Sequence, residues 1–161
     1  MMNAMAIRPF RKEDLHPLVE LVEATNVFRQ EEVDVARELM EIVAEDKDQK
    51  DYVIATCTDE NHAVRGYYCV GRTPMTETTY DLYWIAVDPL AHGKGIGKEL
   101  LHHCEEYVRQ QGGKLIIAET SSMEKYNKTR LFYEHNNYTE ASRINDYYAP
   151  GDGLVVYIKY L

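Results

Sequence analysis

The sequence has no long hydrophobic run and no recognisable leader segment. No stretch of roughly eighteen apolar residues occurs within its 161 positions, so we expect no transmembrane helix. The first residues, Met-Met-Asn-Ala-Met-Ala-Ile-Arg, also lack the apolar core of a signal peptide. These absences predict a cytoplasmic protein without a membrane partner. The length predicts one domain over residues 1–161.

Cysteine is scarce and its spacing is irregular. Cys57, Cys69 and Cys104 are far apart and form no paired motif. A disulfide framework or a zinc site would need closely spaced or paired cysteines, so neither is expected. The pattern suits a reducing compartment and a protein without a metal cofactor.

Basic residues are outnumbered by acidic ones. The chain has 18 Lys and Arg against 27 Asp and Glu, which gives a formal net charge of −9. Surfaces that bind nucleic acid are rich in Lys and Arg, so the balance argues against a nucleic-acid partner. It is compatible with a cationic ligand.

Glycine, by contrast, is concentrated in one segment between Ile85 and Lys98. An apolar, strand-like stretch ends at an Asp-Pro pair, and an amphipathic helix starts behind Gly93, Gly95 and Gly97. Glycines at a helix start leave the backbone N–H groups open at the positive end of the helix dipole, which favours a phosphate or pyrophosphate. The alternative is a tight turn that needs glycine only for its dihedral angles.

The spacing excludes two common phosphate-binding motifs. A P-loop needs a glycine five residues before its Gly-Lys pair, but His92 stands five residues before Gly97. The dinucleotide fingerprint needs a small residue three positions after Gly95, where Lys98 stands. A different phosphate-binding motif is therefore expected.

Two segments resemble signatures of the GNAT family, the Gcn5-related N-acetyltransferases. Residues 92–97 resemble the acetyl-CoA-binding pattern Arg/Gln-x-x-Gly-x-Gly/Ala, although His92 stands where the family usually has Arg or Gln. Residues 127–133, Asn-Lys-Thr-Arg-Leu-Phe-Tyr, resemble the segment that flanks the thiol end of the coenzyme. The resemblance covers about residues 5–161 and is strongest over 79–138.

The resemblance implies a fold and an activity. The fold would be a mixed α/β sheet with helices on both faces, in the order βααβββαβαββ. The activity would be direct transfer of an acetyl group from acetyl-CoA to an amine acceptor, either a small molecule or a peptide amine, in a ternary complex. A homodimer would also be compatible with the family. The alternatives are a CoA-binding regulatory module without transfer activity and a nucleotide-phosphate-binding scaffold.

The coenzyme contacts follow from the same resemblance. The strand backbone would pair with the pantetheine amides, the glycine turn and its lysines would hold the phosphates, and the second signature would contact the pantetheine arm. The expected contacts are Ile85, Ala86, Val87, His92, Gly93, Lys94, Gly95, Ile96, Gly97, Lys98, Asn127 and Arg130.

Tyr133 is the predicted proton donor. A phenol with a pKa near ~10 is protonated at neutral pH and can donate to the departing thiolate, and the family uses the tyrosine at this motif position in that way. The alternative is a core tyrosine in a Phe-Tyr pair. Tyr126 and Arg130 share the helix face of Tyr133 by their spacing, and we expect this face to line the acceptor end of the site.

The predicted general base is a carboxylate. Strand alternation would point Asp81, Ile85 and Val87 in the same direction, and Asp81 lies six residues before Val87. A catalytic Glu occupies that offset in the histone-acetylating branch of the family. Glu119, at the end of the next strand, is the competing carboxylate. A site without a dedicated base, which uses ordered water, is the third possibility.

The segment 144–152 is the predicted border of the acceptor pocket. It is rich in acidic and aromatic residues, and Asp146, Tyr148 and Asp152 could recognise a cationic amine. The alternative is an ordinary turn with solvated acids.

Local patterns also predict the element bounds. We expect strands at 6–11, 52–58, 63–71, 80–87, 114–119, 138–144 and 154–161. We expect helices at 15–24, 31–44, 96–110 and 121–135, the last starting from a capping box at Ser121.

Overall fold

The computed structural model describes residues 5–161, which form seven strands and four helices. The order βααβββαβαββ and the mixed α/β class are confirmed. The elements are β1 Ala6–Pro9, α1 Leu15–Ala24, α2 Gln30–Glu45, β2 Val53–Thr58, β3 Val64–Arg72, β4 Thr79–Val87, α3 Ile96–Gln110, β5 Leu115–Ser121, α4 Asn127–His135, β6 Thr139–Ala149 and β7 Asp152–Tyr160. Within these residues, no helix combines the length and apolar character needed to cross a bilayer.

The strands form one sheet that opens between β4 and β5. The strand order is β1-β2-β3-β4-β5-β7-β6, and β4 and β5 are the only parallel neighbours in the described chain. Their pairing starts at Thr79 with Leu115 and stops at Leu82 with Ala118. Beyond that point, β4 pairs only with β3 and β5 pairs only with β7. The two strands therefore leave a wedge-shaped opening near their carboxyl ends.

Each face of the sheet is covered by helices with one apolar stripe. On one face, Leu100 and Cys104 of α3 pack in the same core as Ile116 of β5. On the other face, α1 and α2 pack on the sheet, and Met40 shares a core with Tyr67 of β3. Only this stripe is buried against the sheet, and the rest of each helix surface faces water, so an amphipathic sequence suits these helices.

A bulge at Tyr83 reverses the alternation of β4. Val70 of β3 pairs with Leu82, but its neighbour Cys69 pairs with Trp84, so Tyr83 is an extra residue in β4. Leu82 faces the α3 core, as do Ile85 and Val87, whereas Trp84 faces the α1 and α2 core.

The bulge overturns one expectation about β4. Asp81 precedes Leu82 and therefore points to the face opposite that of Ile85 and Val87. The prediction that these three side chains point the same way is wrong, because an inserted residue changes the parity of every later position.

The start of α4 also differs from the prediction. Ser121 ends β5 and does not cap a helix, since its hydroxyl donates to Asp152 and accepts from the Met123 N–H. A single 3₁₀ turn, Glu124–Tyr126, precedes α4, which begins at Asn127. The capping box at Ser121 is therefore wrong, because this hydroxyl bonds to β7 instead.

The predicted loop at 145–153 is mostly strand. Ile144 pairs with Leu154 and Ala149 pairs with Asp152, so residues 145–148 lie opposite Gly153 alone. This extra length bulges out of the β6–β7 hairpin. The bulge carries Tyr148 towards the opening in the sheet.

Candidate active site

Two connected cavities occupy the opening between β4 and β5. The first, called here the outer groove, has a volume of about 500 Å³ and lies between the start of α3 and α4. The second, the inner pocket, has a volume of about 210 Å³ and lies between β4, β5, α2 and the β6–β7 hairpin. Phe28, Ile85 and Thr129 line both cavities. A ligand in the outer groove can therefore reach the inner pocket.

The start of α3 forms one end of the outer groove. Gly93 and Gly95 have φ angles of +82° and +76°, a left-handed conformation that glycine adopts without strain. Within the described chain, the backbone N–H groups of residues 93–98 have no hydrogen-bond acceptor. Because these donors lie at the positive end of a helix, they suit an anion such as a phosphate.

Basic side chains line the groove on both sides, although the chain is acidic overall. Lys98 comes from α3, and Lys128 and His135 come from α4. Lys125 lines it from the 3₁₀ turn before α4. The sequence analysis missed the three residues on the α4 side. Lys128 and His135 are seven residues apart and so share a helix face, which is the signal that could have identified them.

Three of the predicted coenzyme contacts do not line the groove. Lys94 is exposed on the turn, and Asn127 is exposed at the start of α4. Arg130 instead donates through Nη1 to the carbonyl oxygens of Ser121 and Met123, at 2.6 and 2.9 Å. Its guanidinium therefore holds the turn between β5 and α4.

The other predicted contacts line the groove: Ile85, Ala86, Val87, His92, Gly93, Gly95, Ile96, Gly97 and Lys98. The ring of His92 lies with Nε2 at 3.3 Å from the carbonyl oxygen of Val87. His92 therefore contacts the edge of β4 as well as the groove.

Tyr133 lies in the wall of the inner pocket with only 4% of its surface exposed. Its ring stacks on Tyr157, with the centroids 5.5 Å apart, and contacts Tyr138 at the same distance. No group in residues 5–161 hydrogen-bonds to its hydroxyl. Burial raises the pKa of this phenol well above its ordinary value, so the hydroxyl keeps its proton. Tyr133 is therefore a largely buried residue whose protonated hydroxyl has no hydrogen-bond partner among residues 5–161.

Three carboxylates line the inner pocket: Glu32, Glu119 and Asp152. Glu32 lies 3.1 Å from Arg29 and accepts a hydrogen bond from the Tyr126 hydroxyl at 3.2 Å. Burial raises the pKa of Glu119, and the negative charge of Asp81 raises it further. Asp152 accepts from the hydroxyl of Ser121, as noted above. Glu119 is the pocket carboxylate best suited to take up a proton.

Asp81 and Asp146 lie outside the pocket, contrary to the roles predicted for them. Asp81 accepts a hydrogen bond from the Thr73 hydroxyl at 2.8 Å and does not line the pocket, although it lies on the same sheet face as Glu119. Asp146 accepts the N–H of Gly151 at 2.7 Å and so stabilises the β6–β7 turn. Both carboxylates serve local structure in this fold.

Aromatic side chains complete the inner pocket. Tyr126 and Tyr148, which the sequence analysis placed at the acceptor end, line it. Phe28 and Trp84 also line it, with ring centroids 4.8 Å apart, and sequence reasoning missed both. Trp84 is the only Trp in the chain and lies in the strand before the glycine turn, which could have identified it as a pocket residue. No local pattern marks Phe28, which comes from the distant α1–α2 connection.

Comparisons with known proteins identify the family and the fold. Residues 42–140 match the family model of the acetyltransferase (GNAT) domain. The structure is similar to a protein from Desulfovibrio desulfuricans described as an acetyltransferase of the GNAT family, with 37% identity, coverage of 98% of this chain and 99% of that chain, and a TM-score of 0.90. No curated protein matches the sequence.

More distant structures share the fold. The ribosomal-protein-S18-alanine N-acetyltransferase from Escherichia coli is 16% identical over 98% of this chain and 94% of that chain, with a TM-score of 0.78. An aminoglycoside 6'-N-acetyltransferase, solved with coenzyme A, is 16% identical over 96% of each chain, with a TM-score of 0.74. At this identity the likeness concerns the fold alone.

Proposed function

This chain belongs to the GNAT family of acetyltransferases, and we propose that it transfers an acetyl group from acetyl-CoA to an amine in a ternary complex. The observation that carries the proposal is the meeting of the two cavities at Phe28, Ile85 and Thr129, beside Tyr133 in the wall of the inner pocket. The thioester would sit at this junction, with the coenzyme in the outer groove and the amine in the inner pocket.

The outer groove suits the chemistry of coenzyme A. The free N–H groups of residues 93–98 and the side chains of Lys98 and Lys128 would hold the pyrophosphate. Beyond Leu82, β4 has no strand on the β5 side, so its backbone is free to pair with the pantetheine amides. Val87 and Phe132 would pack on the arm.

The proposed reaction involves three proton transfers at the reacting atoms. Glu119, directly or through a water, removes a proton from the ammonium of the acceptor, and the neutral amine attacks the thioester carbon. The carbon–sulfur bond then breaks, Tyr133 donates its proton to the departing thiolate, and the attacking nitrogen loses its second proton to water. A proton from solvent then restores the phenol of Tyr133. The products are the amide and free coenzyme A.

An acyl-cysteine intermediate is disfavoured. Burial raises the pKa of Cys57 to about 11 and that of Cys69 to about 12, and it raises the pKa of Cys104 as well. A thiol with so high a pKa is a poor nucleophile at neutral pH. None of the three lines either cavity. These observations support direct transfer.

The decisive experiment measures release of free thiol from acetyl-CoA over a panel of amines. We expect Tyr133→Phe to lower kcat about 10²-fold, because the proton donor is lost while the ring packing remains. Acetyl-CoA affinity, measured by calorimetry, should not change.

The matched control is Tyr67→Phe. Tyr67 is 1% exposed in the core under α1 and α2, and its hydroxyl has no partner in the described chain. This variant should keep full activity. Retained activity in Tyr133→Phe would show that Tyr133 is not the proton donor. Acetyl-CoA binding without thiol release for any amine would favour the regulatory module instead.

A further inference from the structure

The inner pocket carries negative charge that the described protein does not neutralise. Arg29 is the only Lys or Arg side chain among the described residues that line it, and it is paired with Glu32 at 3.1 Å. Glu119 and Asp152 have no cationic partner within residues 5–161. Glu119 is exposed, and Arg29 attracts Asp152 as well as Glu32, but three carboxylates face a single guanidinium in this pocket. The remaining negative charge favours a ligand that brings positive charge.

The carboxylates converge on Tyr148. Burial raises the pKa of Tyr148 to about 12, and the negative charges of Glu119, Asp152 and Glu32 contribute to the rise. Tyr148 and the three acids line the same pocket. Trp84 also lines this pocket, so aromatic rings and carboxylates occur together. This combination is suited to organic cations, which aromatic faces attract as well.

The two unpaired acids are separated along β5. Asp152 is bonded to Ser121, which lies two residues after Glu119 on the same side of the strand. Two residues of a strand span roughly 7 Å, which is the length of a chain of about four to six methylene groups. Tyr133, which is 96% buried (4% exposed) and whose hydroxyl has no hydrogen-bond partner among residues 5–161, lines the same pocket. Its position marks the end of the pocket where acetyl transfer is proposed.

We propose that the acceptor is a diamine or polyamine, with its reacting amine at Glu119 and its second ammonium at Asp152. The assignment rests on the function proposed above and narrows its substrate class. Free amino acids fit poorly, since their carboxylate would face two unpaired acids. A peptide amino terminus without a nearby basic side chain would leave Asp152 unpaired.

Three acceptors of equal chain length test the assignment: 1,4-diaminobutane, 1-aminobutane and 4-aminobutanoate. They differ only in the far end, which is cationic, apolar or anionic. We expect kcat/KM to be about tenfold higher for the diamine than for 1-aminobutane, and lowest for 4-aminobutanoate, because one charge-assisted contact contributes about a factor of ten.

Variants of Asp152 locate the second ammonium. Asp152→Asn should raise KM for the diamine about tenfold and reduce its advantage over 1-aminobutane to near unity. Asp152→Glu keeps the charge and should retain most of the advantage. Glu106→Gln removes a charge from the exposed surface of α3 and should leave the ratio unchanged. Thermal unfolding of each variant would identify any that is misfolded.

The outcomes separate this inference from the proposed function. Transfer to 1-aminobutane or 4-aminobutanoate at least as fast as to the diamine would overturn the acceptor assignment and leave the acetyltransferase intact. If no amine is acetylated, the proposed function fails. In that case, the acceptor assignment is tested by titrating 1,4-diaminobutane into the CoA-bound protein. Binding that is weakened by Asp152→Asn would uphold the assignment, and absence of binding would overturn it.

Discussion

At the scale of single residues, Glu119 links the chemistry of the pocket to the stability of the fold. Its raised pKa means that the folded chain binds this proton more tightly than the unfolded chain does. Between the unfolded and folded pKa values, the free energy of unfolding therefore falls as the pH rises. Above the pKa of Glu119 in the folded chain, the ionised carboxylate lowers the free energy of unfolding by its full amount.

The first prediction concerns Glu119→Gln. The variant lacks the ionised carboxylate, so at pH 8 we expect a higher midpoint of thermal unfolding than in the wild type. The difference should shrink as the pH falls towards about 4.3, the ordinary pKa of Glu. Melting curves at both pH values measure this effect. A wild type that is more stable than the variant at pH 8 would contradict the account of the pocket.

The same variant tests the proposed base. We expect Glu119→Gln to lower kcat/KM for amines by about 10²-fold. The variant should also lose the fall in activity that the wild type shows at acidic pH. A variant that keeps both the activity and the acidic decline would favour a mechanism with ordered water and no dedicated base.

At the scale of elements, the start of α3 combines a left-handed backbone conformation with a proposed binding role. Gly95 caps the helix with φ at +76°, and a Cβ at this position would meet no atom within 4 Å. A substitution there brings backbone strain without a steric clash. Gly112, after the end of the same helix, has φ at +82° and equally open surroundings. The two glycines form a matched pair at opposite ends of α3.

The second prediction uses this pair. Gly95→Ala and Gly112→Ala should each lower the free energy of unfolding by about 1 kcal/mol, the strain of a left-handed alanine. Only Gly95→Ala should also weaken acetyl-CoA binding, because it disturbs the turn that presents the free N–H groups. Denaturant unfolding and calorimetry measure the two effects. Equal acetyl-CoA affinity in both variants would contradict the anion-binding role of this turn.

At the scale of the whole molecule, a chain of net charge −9 presents a basic groove beside an acidic pocket. The overall field attracts cations over distances of about 10 Å at moderate ionic strength. The same field would repel the proposed anionic coenzyme, and Lys98, Lys128 and the helix start would offset that repulsion locally. Under the proposed function, the charge distribution would direct the two substrates to different cavities.

The third prediction follows from this field. As the salt concentration rises, kcat/KM for 1,4-diaminobutane should fall about twice as steeply as for 1-aminobutane, because steering scales with the charge of the acceptor. Steady-state rates between low and high salt, at constant pH and saturating acetyl-CoA, measure the slopes. Equal slopes for both amines would argue against steering by the net charge.

Most of the fold was predictable because local signals agree with it. The strand before the glycine turn and the helix over 96–110 are encoded by apolar periodicity and by glycine, and the structure has both. The segments that failed are those whose partners are remote. Ser121 bonds to Asp152, and the strand after Ile144 pairs with β7. Such partners are invisible to a local pattern.

The sequence by itself determined the order of the elements, the family and the glycine turn before α3, because each depends on short-range spacing. Only the tertiary structure decided which carboxylate lines the inner pocket. Asp81 lies where β4 still pairs with β5 and accepts a hydrogen bond from Thr73. The separation of the two strands beyond Leu82 brings Glu119, Asp152 and Phe28 around one cavity. The physical reason is that strand register and long-range packing are set by pairing between distant segments, which no local spacing specifies.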